Sequence, residues 1–252
     1  MHKNDRFDAF CLATLLRGDF ISRVHVPARE VRDKKNLVRQ RLWLSRVRTM
    51  VRNRIHSLID RHPLLARPAV KDIFSKQGMH WLKNAPLPGH ERVLLNDDLE
   101  MHTMLTTQIK TLEKRIIEAN IDNETLRRIQ TLPGIGVTLA PLIALEIDEP
   151  KRFPNADKFC AYAGLVPTTK ASGGKISHGG LLPFCNKWLR WAFIEGAWVA
   201  VGCSAYFGAF YKRHRQRGKG PNEAIAITAR RMAQIAWKLL AEKRDYSEEA
   251  PR

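Results

Sequence analysis

Ser172 is followed by Gly173, Gly174 and Lys175, a stretch with the parts for attack on a phosphodiester. Glycines lack a Cβ, so a bulky substrate can come close to the serine hydroxyl. As that hydroxyl attacks phosphorus, the lysine ammonium would offset the charge gathering on the phosphoryl oxygens. The same residues also make an ordinary Gly-rich hairpin tip with a solvated serine, and local composition leaves both readings open. A second pair with chemical capacity is Asp5 and Asp8. Three positions apart on a helix, their carboxylates fall on one side and offer oxygen ligands suited to Mg²⁺ or Mn²⁺. Acids in a first turn also favour the positive end of a helix without any metal.

The elements that must hold these residues can be read from pattern. Residues 165–169 and 175–182 pair as a small hairpin with Ser172 at its tip, and Trp188, Leu189, Trp191, Ala192 and Ile194 begin an apolar helix behind it. Arg190 interrupts that apolar face and points either to a phosphate or to Glu195. Upstream, LPGIG at 132–136 lies between two helical runs. Glycines on both sides of Ile135 allow a tight turn whose N–H groups, with the start of the next helix, face one phosphate. That is a helix-hairpin-helix with Gly134, Ile135 and Gly136 as its DNA-contacting residues; a plain αα-turn would use the same Pro-Gly.

The N-terminal helix runs over 4–17, closed by Gly18 in a C-cap position, with Phe7, Cys11, Leu12, Leu15 and Leu16 on its apolar face. From Val26-Pro27 a long helix reaches about Asp60, with Leu37, Leu44, Val47, Val51 and Leu58 marking the packed side. Between Arg23 and Arg54 eleven Arg or Lys stand against only Glu30 and Asp33. Arg41, Arg48 and Arg52 align on one stripe, and a run of one sign fits phosphate contact better than a solvated face, which mixes signs. Four prolines and two glycines make 61–95 a hinge around a short helix. Asp97 opens another long helix in a capping-box pattern with Glu100. Its seam of Leu105, Ile109, Leu112 and Ile116 pairs protomers as a coiled coil or braces the basic helix. A second basic cluster, Lys212, Arg213, Arg215, Arg217 and Lys219, precedes a final helix over 221–241.

Lys and Arg number 43 against 25 Asp and Glu, a formal charge of +18 in 252 residues. That surplus calls for a polyanionic partner, with nucleic acid first. The four cysteines show no CxxC or CxxH spacing, so neither a zinc site nor a disulfide framework is indicated and a reducing cytoplasm is the simplest setting. Residues 191–210 are apolar, but Glu195 and the repeated Gly and Ala fit a buried helix better than a membrane span.

LPGIG, RFPNADKFCAYAGLVP at 152–167, SGGK and NKWLRWAFIEGA at 186–197 follow one another in an order that resembles one family. It is the DEDD-type insertion-sequence transposases with a serine-bearing C-terminal domain, the bridge-RNA-guided recombinases. KNDRFDA resembles that family's KxDxxDA segment, and GPNEAIAITARRMAQIAWKLL extends the likeness downstream. The resemblance implies a mainly α chain in three parts. Residues 1–60 hold the C-terminal piece of a RuvC-like, ribonuclease-H-type domain and the basic helix, 61–122 the hinge and coiled-coil-like helix, and 123–245 the transposase domain. It places Ser172 as the nucleophile and Asp5 and Asp8 as the third and fourth metal carboxylates. Lys175, Arg190, Gly134, Ile135, Gly136, Arg41, Arg48 and Arg52 become DNA contacts. It also implies Mg²⁺ or Mn²⁺ with the complete carboxylate set, DNA and a guide RNA as partners, a homo-oligomer, no membrane, and a prokaryotic, nucleoid-associated setting. Pro183 and Cys185 depart from the Lys and Gly of the family in that run, and the chain starts at KxDxxDA, after the strands that carry the first Asp and the Glu. The expectation is a C-terminal part, inactive by itself unless Asp19 or Glu146 completes the site. The alternative is a basic nucleic-acid-binding remnant without chemistry.

Overall fold

The computed structural model describes residues 4–21, 24–172 and 175–248, with side chains outside 170–178. Over these residues the chain is mainly α, with one two-stranded antiparallel sheet.

Helix α1 (Asp5–Arg17) starts where the Asn4 side chain accepts from Arg6 N–H at 3.0 Å, and it buries no residue. Its apolar residues Phe7, Leu12, Leu15 and Leu16 stay exposed. Gly18 closes the helix at φ −84°, not in the left-handed conformation of a C-cap glycine; Asp19 takes that role at φ +54°.

Helix α2 (Arg29–Asp60) has no Gly or Pro in its interior and stops short of Pro63. At 1.5 Å per residue it is a beam of about 48 Å. Short α3 (Lys76–Asn84) follows, and then α4 (Gly89–Glu118). This last helix begins eight residues before the expected Asp97. Pro88 occupies the N-cap, where its missing N–H costs nothing, so the Pro-Gly run that reads as hinge is the first turn of the helix. Asp97 and Glu100 are therefore mid-helix and form no capping box. Helix α4 returns antiparallel along α2, facing Glu91 to Arg61, Asp98 to Arg54 and Glu113 to Arg41. Leu44, Val51, Ile55, Leu58 and Ile59 of α2 pack on Leu95, Leu99, Leu105 and Ile109 of α4, with Leu82 of α3. The heptad-like seam is thus closed inside the chain and is not a face for a second copy. The hinge is also tied down: Arg92 donates to the carbonyls of Leu82 and Ala85, and Trp81 Nε1 to that of Ala66.

A second core gathers α5 (Glu124–Gln130), α6 (Leu139–Ile147), a 3₁₀ turn (Pro150–Arg152), α7 (Ala156–Tyr162), β1 (Pro167–Ser172), β2 (Lys175–Leu181), α8 (Lys187–Cys203), α9 (Ala205–Gln216) and α10 (Pro221–Ala241). Helix α6 is its axis, buried from Ala140 to Ile147, with α5, α8 and α2 packed around it and α10 packed on α7, α8 and α9. Asn123, Asn155, Asn186 and Ser204 cap α5, α7, α8 and α9 with side-chain oxygens, each worth about 1 kcal/mol. At Ser204 the apolar run of 191–210 bends by 102°, and no single helix is long and apolar enough to cross a membrane. Val38 and Leu42 of α2 and Ile116 of α4 enter this second core, so one end of the two-helix beam is built into it.

Candidate nucleic-acid interface

The junction between beam and second core brings Arg41 of the basic stripe beside the end of the LPGIG turn. Arg41 stands between two clefts. One, of about 330 Å³, is lined by Arg41, Ser45, Arg46 and Thr49 of α2 and by Trp191 of α8. The other, of about 140 Å³, joins Arg41 to Glu113 and to Val137 and Thr138 at the end of the LPGIG turn. Residues nearly a hundred positions apart thus share one surface. Beside it, the guanidinium groups of Arg39 and Arg46 each lie 5.5 Å from the Trp188 ring, a cation–π pairing that fixes the first turn of α8 against α2. Arg39 and Arg46 are not among the contacts the sequence suggests, and Trp188 and Trp191 read there only as apolar-face residues; the signal for the pairing is the WLRW tetrad beside a basic helix.

The stripe of Arg41, Arg48 and Arg52 is less free than its pattern promised. Arg41 Nε donates to Glu113 at 3.1 Å, and Arg52 donates to His102 at 3.2 Å while covering the Phe74 ring at 4.3 Å. Both therefore brace α2 against α4 and its neighbours. Arg48 has no hydrogen bond or ion pair among the described residues. Burial, then Arg52 and Arg41 beside it, lower its proton affinity, a concentration of positive charge that an anion would relieve. Arg29, Arg39 and Arg54 likewise have carboxylates within reach, in Asp33, Glu146 and Asp98. A helix that reads as uniformly basic is in large part neutralised by acids distant in sequence.

Glu146 is the most consequential of those acids. Its side chain is 2% exposed, and Oε1 accepts from Arg39 Nε at 3.0 Å and Nη2 at 2.6 Å. The other oxygen accepts from Asn186 Nδ2 at 2.9 Å, and the Asn186 Oδ1 caps α8 through Trp188 N–H. One carboxylate therefore ties α6 to α2 and to the start of α8. Both its oxygens are occupied, so it does not serve as a spare acid for Asp5 and Asp8.

The LPGIG turn is shaped by packing first. Gly134 has φ +80°, and a Cβ there would stand 2.2 Å from the Gly196 carbonyl oxygen of α8. Ile135 is buried, its Cδ1 filling the space that a Cβ at Gly196 would need. The turn must seat itself on α8, which sets the conformation of Gly134 and buries the Ile135 side chain. Gly136 is the open position, with nothing within 4 Å of a Cβ, and it leads to exposed Val137 and to the uncapped start of α6.

Hairpin β1–β2 rises from the other end of α8. Leu182 N–H donates to Val166 and Asn186 N–H to Tyr162, closing its base. Arg190 Nη2 donates to the Leu182 carbonyl, so this arginine points neither to Glu195 nor outward, and it holds the hairpin base. The register pairs Ser172 with Lys175 as the last rung, and Lys170 with Ser177 two steps below. Gly173 and Gly174 at the tip lie outside the described residues, as do the side chains of Ser172 and Lys175. From Pro167 to Ser172 the strand spans about 17 Å, so Ser172 belongs to the far end of an arm.

Asp5 and Asp8 are both exposed on the first turn of α1, and among the described residues no group of three or more His, Cys, Asp or Glu could hold a metal ion. They are two of the carboxylates that the resemblance implies would hold Mg²⁺ or Mn²⁺ when the set is complete.

Residues 126–212, from α5 through α9, match the model of the Transposase IS116/IS110/IS902 family. The chain is 28% identical over 191 residues to an insertion element IS110 protein of Streptomyces coelicolor, covering 75% of this chain and 46% of that one. It is 29% identical over 136 residues to the transposase for insertion sequence element IS1328 of Yersinia enterocolitica, covering 53% and 41%. With the transposase for IS1111A of Coxiella burnetii it shares 25% over 258 residues, covering 97% and 68%. The chain spans about half the length of the relatives it matches. By sequence it is related to the insertion-sequence transposases of the IS110/IS116/IS902 family.

Proposed function

We propose that this chain handles DNA in transposition and that Ser172 is the group that attacks it. The observation carrying the reading is that the family-matched segment contains a hairpin arm whose last rung pairs Ser172 with Lys175. In the proposed step Ser172 Oγ bonds to phosphorus and a deoxyribose oxygen leaves. The proton of the serine hydroxyl ends on that leaving oxygen, and Lys175 offsets the phosphoryl charge. Arg41, Arg46, Arg48 and the Gly136–Thr138 backbone would hold the duplex through its phosphates without reading sequence, the role of a helix-hairpin-helix. Placing α1 in a RuvC-like domain, and guidance by an RNA, rest on the resemblance alone. A second reading, a basic nucleic-acid-binding protein without chemistry, is favoured by the solvated state of Asp5 and Asp8.

The test is a covalent-adduct assay on labelled element-end DNA with the full chain and Ser172→Ala, read by denaturing electrophoresis, beside duplex binding as a function of salt. An adduct lost in Ser172→Ala with binding retained supports the nucleophile. Binding without any adduct in the presence of Mg²⁺ supports the second reading, and binding that ignores salt overturns both, since phosphate contacts must release counterions.

A further inference from the structure

Helix α9 has two faces. Fully buried Phe207 and Gly208 seat it on the core, where Phe207 stacks on Tyr246. A quarter-turn away Tyr206, Phe210 and His214 recur at i, i+4 and i+8, half-buried. The Tyr206 and Phe210 rings are 6.3 Å apart at 26°, and Phe210 and His214 4.8 Å apart at 56°. This ladder opens on a groove of about 420 Å³ between α9 and α10, lined by Tyr206, Phe210, Arg213, Arg231 and Gln234. The volume suits a ligand of nucleotide size and is far too small for a duplex. Arg231 Nε donates to Tyr206 Oη at 2.6 Å, which fixes the ring and a cation in one wall. Arg213 lines the groove itself, and Arg215, Arg217 and Lys219 follow it in the chain, with Glu223 as the counter-charge on Lys219 and Asp157 on Arg230.

From this we propose a second nucleic-acid site, on which an unpaired base stacks on Phe210 while the backbone follows the cations of α9. Ring faces are of no use to a duplex, whose bases already cover one another, whereas single strands are held by aromatic platforms in a basic groove. A phosphate alone would be met by the arginines and would not need the ladder. His214 has its proton affinity lowered by burial and by Arg217, Arg213 and Lys219, with Glu223 acting the other way. The proposal shares with the function above only that the chain handles nucleic acid; its site, ligand form and residues differ.

Fluorescence anisotropy of the full chain with short oligo-dT, oligo-rU and a duplex tests it, using wild type, Phe210→Leu, Phe210→Trp and Arg213→Gln. Phe210→Leu keeps apolar volume without a ring. It should weaken single-strand binding about five- to a hundredfold while leaving duplex affinity unchanged. Phe210→Trp should restore the loss, and Arg213→Gln should flatten the single-strand salt slope by about 0.7. A loss in both the dT and rU arms means that either sugar is accepted, and a loss in one arm names the strand. Unchanged single-strand binding in Phe210→Leu, an equal loss on the duplex, or a Phe210→Trp as weak as Phe210→Leu overturns the groove while duplex binding stands. Failure of wild type to bind any of the three removes the nucleic-acid reading itself.

Discussion

Replacing Arg39 by Met keeps a stem of similar length beside Trp188 and removes the guanidinium, with its two bonds to Glu146 and its cation–π contact with Trp188. The Glu146 carboxylate is 2% exposed and the Arg39 side chain 38% exposed. Breaking a fully buried pair by removing one partner costs about 3–5 kcal/mol, and a fully exposed pair is worth about 0–1 kcal/mol. Here the surviving charge is the buried one, but both lost bonds go to a single oxygen and water can follow the path of the departed guanidinium. An intermediate cost of about 2–3 kcal/mol results. For a chain of this size 1 kcal/mol shifts Tm by roughly 2–4 °C, so Arg39→Met should melt about 4–12 °C lower by circular dichroism. Glu146→Gln leaves the less buried partner unpaired and should cost less, about 1 kcal/mol. The double variant Arg39→Met, Glu146→Leu should recover much of the loss, because no charge is left buried. A Tm for Arg39→Met within about 1 °C of wild type, or Glu146→Gln costing more than Arg39→Met, refutes the view that a buried carboxylate holds the junction.

The two glycines of the LPGIG turn should separate cleanly. Gly134→Ala forces a side chain at φ +80° into the Gly196 carbonyl and should lower stability by about 3 kcal/mol or more, seen as a fall in the urea midpoint. Gly136→Ala meets open space and should melt like wild type while weakening duplex binding a few-fold. Acid should also destabilise the fold. Burial, then Arg52 and Arg48, lower the proton affinity of His102, and its Nε2 accepts from Arg52. The unfolded state then takes up protons first, so stability is intact above the ordinary histidine value of about 6.5 and falls as pH drops from there toward the folded-state value. The slope of Tm against pH should be shallower in His102→Gln. Finally, burial pushes the Cys160 thiol up to about 12, so Cys160 should resist a thiol reagent in the native chain while exposed Cys203 reacts.

Elements were more legible in this sequence than their partners. The long helices, the small hairpin and the final helix are carried by local periodicity and capping, and the structure has them close to where pattern put them. The start of α4 was hidden because Pro88 and Gly89 are breakers in a helix interior and acceptable at a helix start; which applies depends on whether Leu95 and Leu99 find α2 to pack on. Ser204 carried a cap signal inside an apolar run, but only the packing of Phe207 under the second core turns that signal into a 102° bend. Gly134 and Ile135 fit a phosphate-binding turn by type and spacing. Their true constraint, the close approach of α8, is sixty residues away and leaves no local trace.

The same limit governs the reading of charge, and it changes where a polyanion should be sought. A one-dimensional count puts the longest positive run on α2, but five of its arginines face Asp33, Glu146, Glu113, Asp72 and Asp98 within 4.0 Å. Four of those five acids come from outside α2, so no window along the chain could have balanced them. What remains to attract phosphate there is Arg32, Lys34 and Lys35 near its start, Arg46 over Trp188 and the crowded Arg48. The C-terminal half of α9, by contrast, keeps Lys212, Arg213 and Arg217 with no ion pair among the described residues. A formal charge of +18 therefore divides into a part that builds the two-helix beam and a part that faces solvent. Only the second part can release counterions on binding, because charges already paired within the fold hold none to release.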